Sequence, residues 1–428
     1  MTFQTSSSVS TGLAPSPSAV PPCAGVVQPS QEQPILSVIS SFHDLEPFAA
    51  EWDEAVIRLG APIYMTFDWL KTWWEFYGKE KQLRCFVFRQ GQNFVALIPI
   101  YLETFGFGPL ELKLARLVGA NIPPKTFNPP LDAAFGVKAL SEAIRYLLQT
   151  EKCDMISFGP VSTSWPGHGC FRGALAAAGE LVGRSSYQER DVQTWFQLPA
   201  TFEEYLQSLS GSERKSRMKR VRHLEKEHQV ASDIVSDPAL LGSEFDAFVK
   251  QHASQWQAIG KSGHFAAWPH GEEYNRSLVR AQGLRGRVRF FRMLVDGRVV
   301  SNRYTFLLGR TLFSELPARA CGEPWDKLGI GGVSLLKFNE SAIQAGIRDV
   351  DSGLGAYDHK AQLGGDQIPV GIWRVSGRGV HGIKARGFRL LSGILLLACH
   401  KLWYRRILPH LPGSFPRKQS LWWLRFDA

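Results

Sequence analysis

The chain has 428 residues, 44% hydrophobic and 12% aromatic, with six cysteines in no CxxC pair or regular spacing. This composition excludes a wholly disordered or collagen-like chain, and the scattered cysteines argue against a disulfide framework or metal cluster, leaving free thiols in a reducing cytoplasm. The net charge of +10 is local: residues 374–428 hold 11 Lys or Arg against one acid, Asp427, and the rest is neutral, which bears on the partners of the tail rather than on the fold.

Residues 1–34 are rich in Ser, Pro, Ala and Thr and are predicted to be disordered. The first basic residue is Arg58, so a secretory n-region is missing, and a cytoplasmic location is expected. Ile35–Ile39 reads as a strand, and a helix is predicted from Leu45 to Leu59 with Asp44 as its N-cap. A second helix, Asp68 to Tyr77, carries Trp69, Trp73 and Trp74 as a core stripe. Leu83–Arg89 and Asn93–Leu102 flank Gly91-Gln92 as a hairpin, followed by a helix from Val137 to Leu148 and a strand at Met155–Phe158.

The second half opens on a capping box, Thr201 to Glu204. A basic helix is expected from Ser212 to Glu227 and another from Ser243 to Ala258. Strands Val288–Val295, Arg298–Leu308 and Thr311–Leu316 follow, with Asp296-Gly297 and Gly309-Arg310 as hairpin turns. A glycine cluster, a helix to Ala345 and a strand ending at Asp351 complete the half. The mixed elements indicate an α+β or mixed α/β class.

Gly329, Ile330, Gly331 and Gly332 stand directly before that helix. Without Cβ atoms, the backbone N–H groups approach an anion closely, and the helix N-terminus adds positive dipole. No Lys-Ser/Thr follows, so this is no P-loop, and antiparallel hairpins in place of a βαβ crossover disfavour a dinucleotide fold. By themselves the glycines read more readily as a tight helix start than as a ligand site. Asp351-Ser-Gly-Leu-Gly355-Ala-Tyr357-Asp-His359-Lys360 lies where a strand yields to a loop, a preferred place for functional groups. Its other reading is a capped turn with a surface Asp–Lys pair.

Three antiparallel strands, a glycine turn, a helix and a strand form the order of the GNAT core, which this chain resembles. Its glycine turn holds the pyrophosphate of coenzyme A, and the matching residues here are Asp326 to Gly331, with Asp326 where Gln or Arg is common. The Asp351–Lys360 spacing resembles the D-x3-G-x3-Y-K signature of the CelD/BcsL-like GNAT proteins, associated with bacterial cellulose and exopolysaccharide synthesis. His359 stands in the family's Tyr position, with Tyr357 two residues away. Phe67-Asp-Trp69-Leu70 with Trp73-Trp74, Val95–Ile100, Leu209–Arg222, Trp256 before Gly260, and Ala345-Gly346 extend the resemblance from Leu36 to Trp373.

The resemblance implies a tandem GNAT-like acyl-CoA N-acyltransferase fold of mixed, largely antiparallel sheets flanked by helices, with halves at 35–198 and 199–375 and a basic tail at 376–428. It implies direct transfer of acetyl from acetyl-CoA, without a metal, to an amine or hydroxyl of a polysaccharide or cell-envelope precursor, a sugar or lipid-linked acceptor. Gly329, Ile330, Gly331 and Gly332 would hold the donor. Glu315, Asp351 and His359 are the candidate bases, and Lys360 would orient or neutralise the acceptor. Arg214, Arg217, Trp256 and Tyr357 would contact substrate. Six of the nine residues Arg214–Arg222 are cationic. The helix reads equally as solvated and salt-bridged by Glu225 and Glu227, and the lack of interleaved aromatics argues against nucleic acid.

Two other readings stand. A FemAB-type aminoacyltransferase shares the duplicated architecture and uses aminoacyl-tRNA, although its long coiled-coil insertion is not evident here. A non-catalytic scaffold of an exopolysaccharide synthase would keep the fold without the donor site. In the tail, Leu390–Cys399 is too short to span a bilayer. It reads either as a helix lying on an anionic inner-membrane surface, with Trp403 and Trp422-Trp423 as interfacial residues, or as one docked on the body.

Overall fold

Period-two apolar runs and two-residue turns produce the strands that dominate this computed structural model, which describes residues 33–106, 111–120, 125–261, 263–407 and 410–411. Residues 1–32 of the segment predicted to be disordered, and Trp422-Trp423, lie outside the described residues. The first half supplies β1 (Ile35–Ile39), β2 (Gln82–Gln90), β3 (Asn93–Phe105), β4 (Leu112–Leu117), β5 (Met155–Ser162) and β6 (Val182–Gln197). The second supplies β7 (Val230–Val235), β8 (Val288–Val295), β9 (Arg298–Leu308), β10 (Thr311–Arg319), β11 (Asp349–Leu354) and β12 (Asp366–Gly377).

These strands form one 12-stranded sheet in the order β1-β2-β3-β4-β5-β12-β6-β11-β10-β9-β8-β7. Within each half four strands run antiparallel and a fifth joins in parallel, β4 with β5 and β10 with β11. The sixth strand of each half crosses over: β6 pairs with β11 of the second half, and β12 pairs with β5 of the first. β6 and β12 then pair with each other along nearly their whole length. The duplication is therefore visible in topology without any repeat in sequence, and the exchanged strands fuse the halves.

Helices cover the sheet: α1 (Ala49–Arg58), α2 (Phe67–Tyr77), α3 (Gly136–Arg145), α4 (Pro166–Ala178), α5 (Phe202–Ser208), α6 (Gly211–Glu227), α7 (Leu241–Gln257), α8 (Gly271–Leu284), α9 (Ile330–Gln344) and α10 (Val380–Leu396). Trp69 and Trp73 of α2 are fully buried. The Trp69 ring meets Phe306 of β9 edge-on at 4.9 Å, so one aromatic core runs between the halves. Arg287 donates to Asp53 at 2.8 Å and Gln282 to Thr66 at 3.2 Å across the same seam.

Several boundaries differ from the sequence expectations. The first helix is divided: Ser41 caps a short turn, Phe42–Leu45, and Pro47 lies in a tighter turn before α1 begins at Ala49. Asp44 is thus inside a turn and caps nothing. The helix predicted to end at Leu148 closes in a wide turn from Tyr146 to Thr150. β4, β6, β7, β12, α4 and α8 have no counterpart in the predicted elements. β6 in particular carries the polar run Arg184–Asp191, which lacks alternation and is held by backbone pairing with β12, β11 reaching β6 only from Gln193 to Gln197.

Candidate active site

The site begins where two parallel strands part. β10 and β11 pair only from Thr311–Phe313 to Asp349–Asp351, after which they separate. On its other edge β10 shifts register against β9 between Ser314 and Leu316, leaving Glu315 as the extra residue. A bulge of this kind re-aims a side chain, and Glu315 lines the opening between the strands. The opening is a cavity of about 380 Å³, walled by Lys125, Trp256, His264, Trp268, Ser352 and Tyr357 among others.

Glu315 Oε1 is 2.7 Å from Nζ of Lys125, which reaches across from the first half. Its other oxygen, Oε2, is buried without a hydrogen-bond partner among the described residues. A buried carboxylate oxygen left open costs free energy unless a donor reaches it, and the cavity is where one would arrive. Lys360 donates to the Ser352 carbonyl at 2.6 Å, and its ammonium lies 5.0 Å from the Tyr357 ring centre. Burial and then the nearby Arg303 guanidinium bring its pKa down to about 8. His359 stands beside Tyr357, its pKa lowered by burial first and by Lys360 second.

A second cavity of about 420 Å³ adjoins the first, sharing Arg303, Pro317, Leu335 and His359 with it. Its floor is the start of α9. Gly329, at φ 64°, ends the short turn Trp325–Leu328 and begins α9, so Ile330, Gly331 and Gly332 form the first turn rather than preceding the helix. The Gly329 and Gly332 amides donate to the Asp326 and Gly329 carbonyls at 3.2 and 3.0 Å, which leaves those of Ile330 and Gly331 as the open donors of the first turn. Three arginines close on them: a Cβ on Gly332 would come within 2.5 Å of Arg217 Nη1, one on Gly329 within 3.5 Å of Arg220, and one on Gly331 within 3.5 Å of Arg319. Arg217 is held by Glu213 at 3.1 Å, and Arg319 by Asp326 at 2.7 Å. Asp326 also accepts from the Gly322 amide at 2.9 Å, so it fastens the loop while its carboxylate, paired with Arg319, lines the cavity. Arg220 has no acidic partner among the described residues. Helix terminus and guanidinium groups together make an anion site.

The predicted residues thus fall into groups. Gly329, Ile330, Gly331, Gly332 and Arg217 line the second cavity; Glu315, Trp256, Tyr357 and Lys360 line the first; His359 lines both. Asp351 lines neither. It is buried below the opening, where Gln193 and the Gly353 amide each donate to it at 2.8 Å, and burial raises its pKa. Arg214 is exposed and touches neither cavity.

Lys125, Arg303, Arg319 and the pair His252–His264 went unpredicted. Arg303 is buried at the junction of the two cavities, with burial lowering its pKa to about 10. An arginine at mid-strand in β9, between Val299-Val300 and Phe306–Leu308, was its available signal. His264 lines the first cavity beside Trp256, and its Nδ1 is 3.1 Å from Nε2 of the buried His252 behind it.

Residues 211–361 match the family model of the acetyltransferase (GNAT) domain. A crystal structure of FemX aligns with a TM-score of 0.55 at 12% identity, over 76% of this chain and 95% of that one. The fold is that of a tandem GNAT-like acyltransferase. A tandem GNAT protein from the clavulanic acid biosynthesis pathway aligns at 12% identity over 81% of this chain and 100% of that one, with a TM-score of 0.39. The C-terminal domain of a putative lysylphosphatidylglycerol synthetase from Agrobacterium fabrum aligns at 10% identity over 83% and 97%, with a TM-score of 0.48. No curated protein sequence matches the chain. By its match to an acetyltransferase domain model over residues 211–361, the chain is an enzyme of the acyltransferase class. Such a fold takes an acyl-CoA-type donor and an acceptor. Among the described residues no group of His, Cys, Asp and Glu is placed to hold a metal ion, and no helix is long and apolar enough to cross a membrane.

Proposed function

We propose that this chain moves an acyl group from a phosphate-bearing carrier to an amine or hydroxyl by direct transfer. The observation that carries this reading is the open Oε2 of Glu315, in a cavity joined to a cradle of helix amides and three arginines. The carrier's phosphates belong at Gly329–Gly332 with Arg217, Arg220 and Arg319, and its acyl end at the junction. Glu315 takes the proton of the attacking group, while Lys125 fixes its other oxygen. Arg303 supplies a fixed cation where the carbonyl oxygen gains charge. Lys360 and His359 border the acceptor, and Asp351 supports the Ser352–Gly353 turn from below.

Two carriers suit the cradle. Acetyl-CoA is favoured by the acetyltransferase match over residues 211–361. Aminoacyl-tRNA, the donor of the FemAB-type reading, is favoured by a tandem fold shared with FemX over 76% of the chain, and draws on more of the molecule. The exposed Lys215, Lys219 and Arg222 on the same helix as Arg217 and Arg220 offer further phosphate contacts, for which interleaved aromatics are not needed. On the acceptor side, Trp256, Trp268 and Tyr357 wall a cavity suited to a sugar ring. That agrees with the exopolysaccharide link implied by the Asp351–Lys360 spacing, with a sugar or lipid-linked precursor as acceptor.

The test is transfer of labelled acetyl from acetyl-CoA, or of a labelled aminoacyl group from tRNA, to a panel of amino sugars and lipid-linked sugars. Glu315→Gln should lower kcat by about 10²–10⁴-fold with KM little changed. Transfer by the variant at the wild-type rate would remove Glu315 from the reaction. Consumption of neither donor would favour the scaffold reading.

A further inference from the structure

The tail that carries the chain's net charge forms α10, which leaves β12 after Gly377 and continues in wider turns from Leu397 to Ile407. One side of α10 is fixed to the body. Ala385 and Phe388 pack against Leu112, Leu114 and Met155, with the Phe388 ring stacked on Phe105 at 5.7 Å, and His381 pairs with the buried Asp154. Ser392, on the same side, is buried as well.

The opposite side is apolar and open. Ile383, Leu390, Leu391, Ile394 and Leu397 are between 52% and 68% exposed. At 3.6 residues per turn they fall in one arc of about 120°. Lys384 borders that arc on one edge and Arg386 on the other. Beyond it, Leu402, Trp403 and Ile407 are exposed too. A globular protein seldom leaves such a patch uncovered without a partner for it. Apolar residues at the centre of a helix face, with cations along both margins, match a bilayer interface: side chains enter the acyl boundary while Lys and Arg meet lipid phosphates.

We infer that α10 lays this chain on an anionic lipid surface, with Ile383, Leu390, Leu391, Ile394 and Leu397 inserted and Lys384 and Arg386 at the headgroups. Charge selects this occupant. Residues 374–428 carry 11 Lys or Arg against one acid, which attracts an anionic surface. The same charge opposes a second copy, because a two-fold contact would set each cationic margin against its own image. The contact uses none of the donor or acceptor residues, so its failure would leave the acyl-transfer reading in place.

Co-sedimentation of the full chain with lipid vesicles tests the inference. Binding should be at least about tenfold stronger to phosphatidylcholine vesicles containing about one-third phosphatidylglycerol than to phosphatidylcholine alone, and should weaken with salt. Leu390→Glu/Ile394→Glu should abolish binding, and Lys384→Glu/Arg386→Glu should abolish the anionic preference. All four side chains lie off the packed face, so both variants should keep the wild-type melting temperature. Sedimentation equilibrium on the same samples reports the other occupants. A dimer that Leu390→Glu/Ile394→Glu dissolves, without vesicle binding, would assign the face to a second copy. Vesicle binding that requires removal of residues 412–428 would assign it to the chain's own end. Either result, or equal binding to both vesicle types, overturns the inference.

Discussion

Glu315 owes its position to one extra residue in β10. Without the register shift between Ser314 and Leu316 the strand's alternation would face it differently, and Lys125 would have no carboxylate at 2.7 Å. Lys360 offers a test in pH. With its pKa brought down to about 8, it is charged at neutral pH and loses that charge as pH rises through about 8. If the charge orients the acceptor, the transfer rate of wild type falls on that limb relative to Lys360→Arg, whose charge persists. Matching profiles in the two proteins would take Lys360 out of that role. His252 and His264 give a stability test. Burial, the first cause in both, lowers their pKa values to about 4 and about 3 from an ordinary value near 6.5. The native state keeps them neutral while the unfolded chain takes up protons below about pH 6.5. Stability is therefore full above that pH and falls as pH drops toward 4. Urea midpoints at pH 7.5 and pH 5 should fall less in His252→Gln/His264→Gln than in wild type; an unchanged difference would contradict the burial account.

At the scale of elements, α6 and α9 make the cradle together. α9 contributes open amides through a first turn kept bare by Gly331 and Gly332, and α6 contributes the cations that cover it. Both elements were legible in sequence: the glycines announced the turn, and the run Arg214–Arg222 announced the helix. Their meeting was not, since no local pattern says which of six cations faces inward. Arg217 and Arg220 do, and Arg214 does not. Lys125 was out of reach for another reason. It sits in Asn121–Pro130, a stretch with four prolines and no periodicity, and acquires its role only when the two halves meet.

For the whole molecule the exchanged strands decide the outcome. Residues 199–375 expressed alone would lack β6, leaving the β11 edge open, and would hold β12 without either of its neighbours. Such a fragment should show no cooperative melt by circular dichroism, whereas the full chain should unfold in one transition; two independent transitions would contradict a fused sheet. Trp69→Ala, at the aromatic seam, should destabilise the full chain by about 3–5 kcal/mol, as a large cavity does, and lower the single transition for both halves. The hairpins and α2 were readable from alternation and the tryptophan stripe. β6 and β12 were not: the polar run Arg184–Asp191 of β6 is held by its backbone ladder to β12, which needs no amphipathic pattern, and β12 itself lies between β5 and β6 in mid-sheet.

The central claim is that the donor's phosphates rest on the α9 first turn under Arg217 and Arg220. Calorimetric titration of acetyl-CoA and of aminoacyl-tRNA into wild type and Arg220→Glu tests it most directly, because Arg220 is exposed and its replacement leaves the core intact. The account predicts saturable binding of one donor to wild type, weakened about 10- to 100-fold in Arg220→Glu, the cost of losing a charge-assisted contact. Equal affinity in both proteins, or no binding of either donor to the folded wild type, would contradict it.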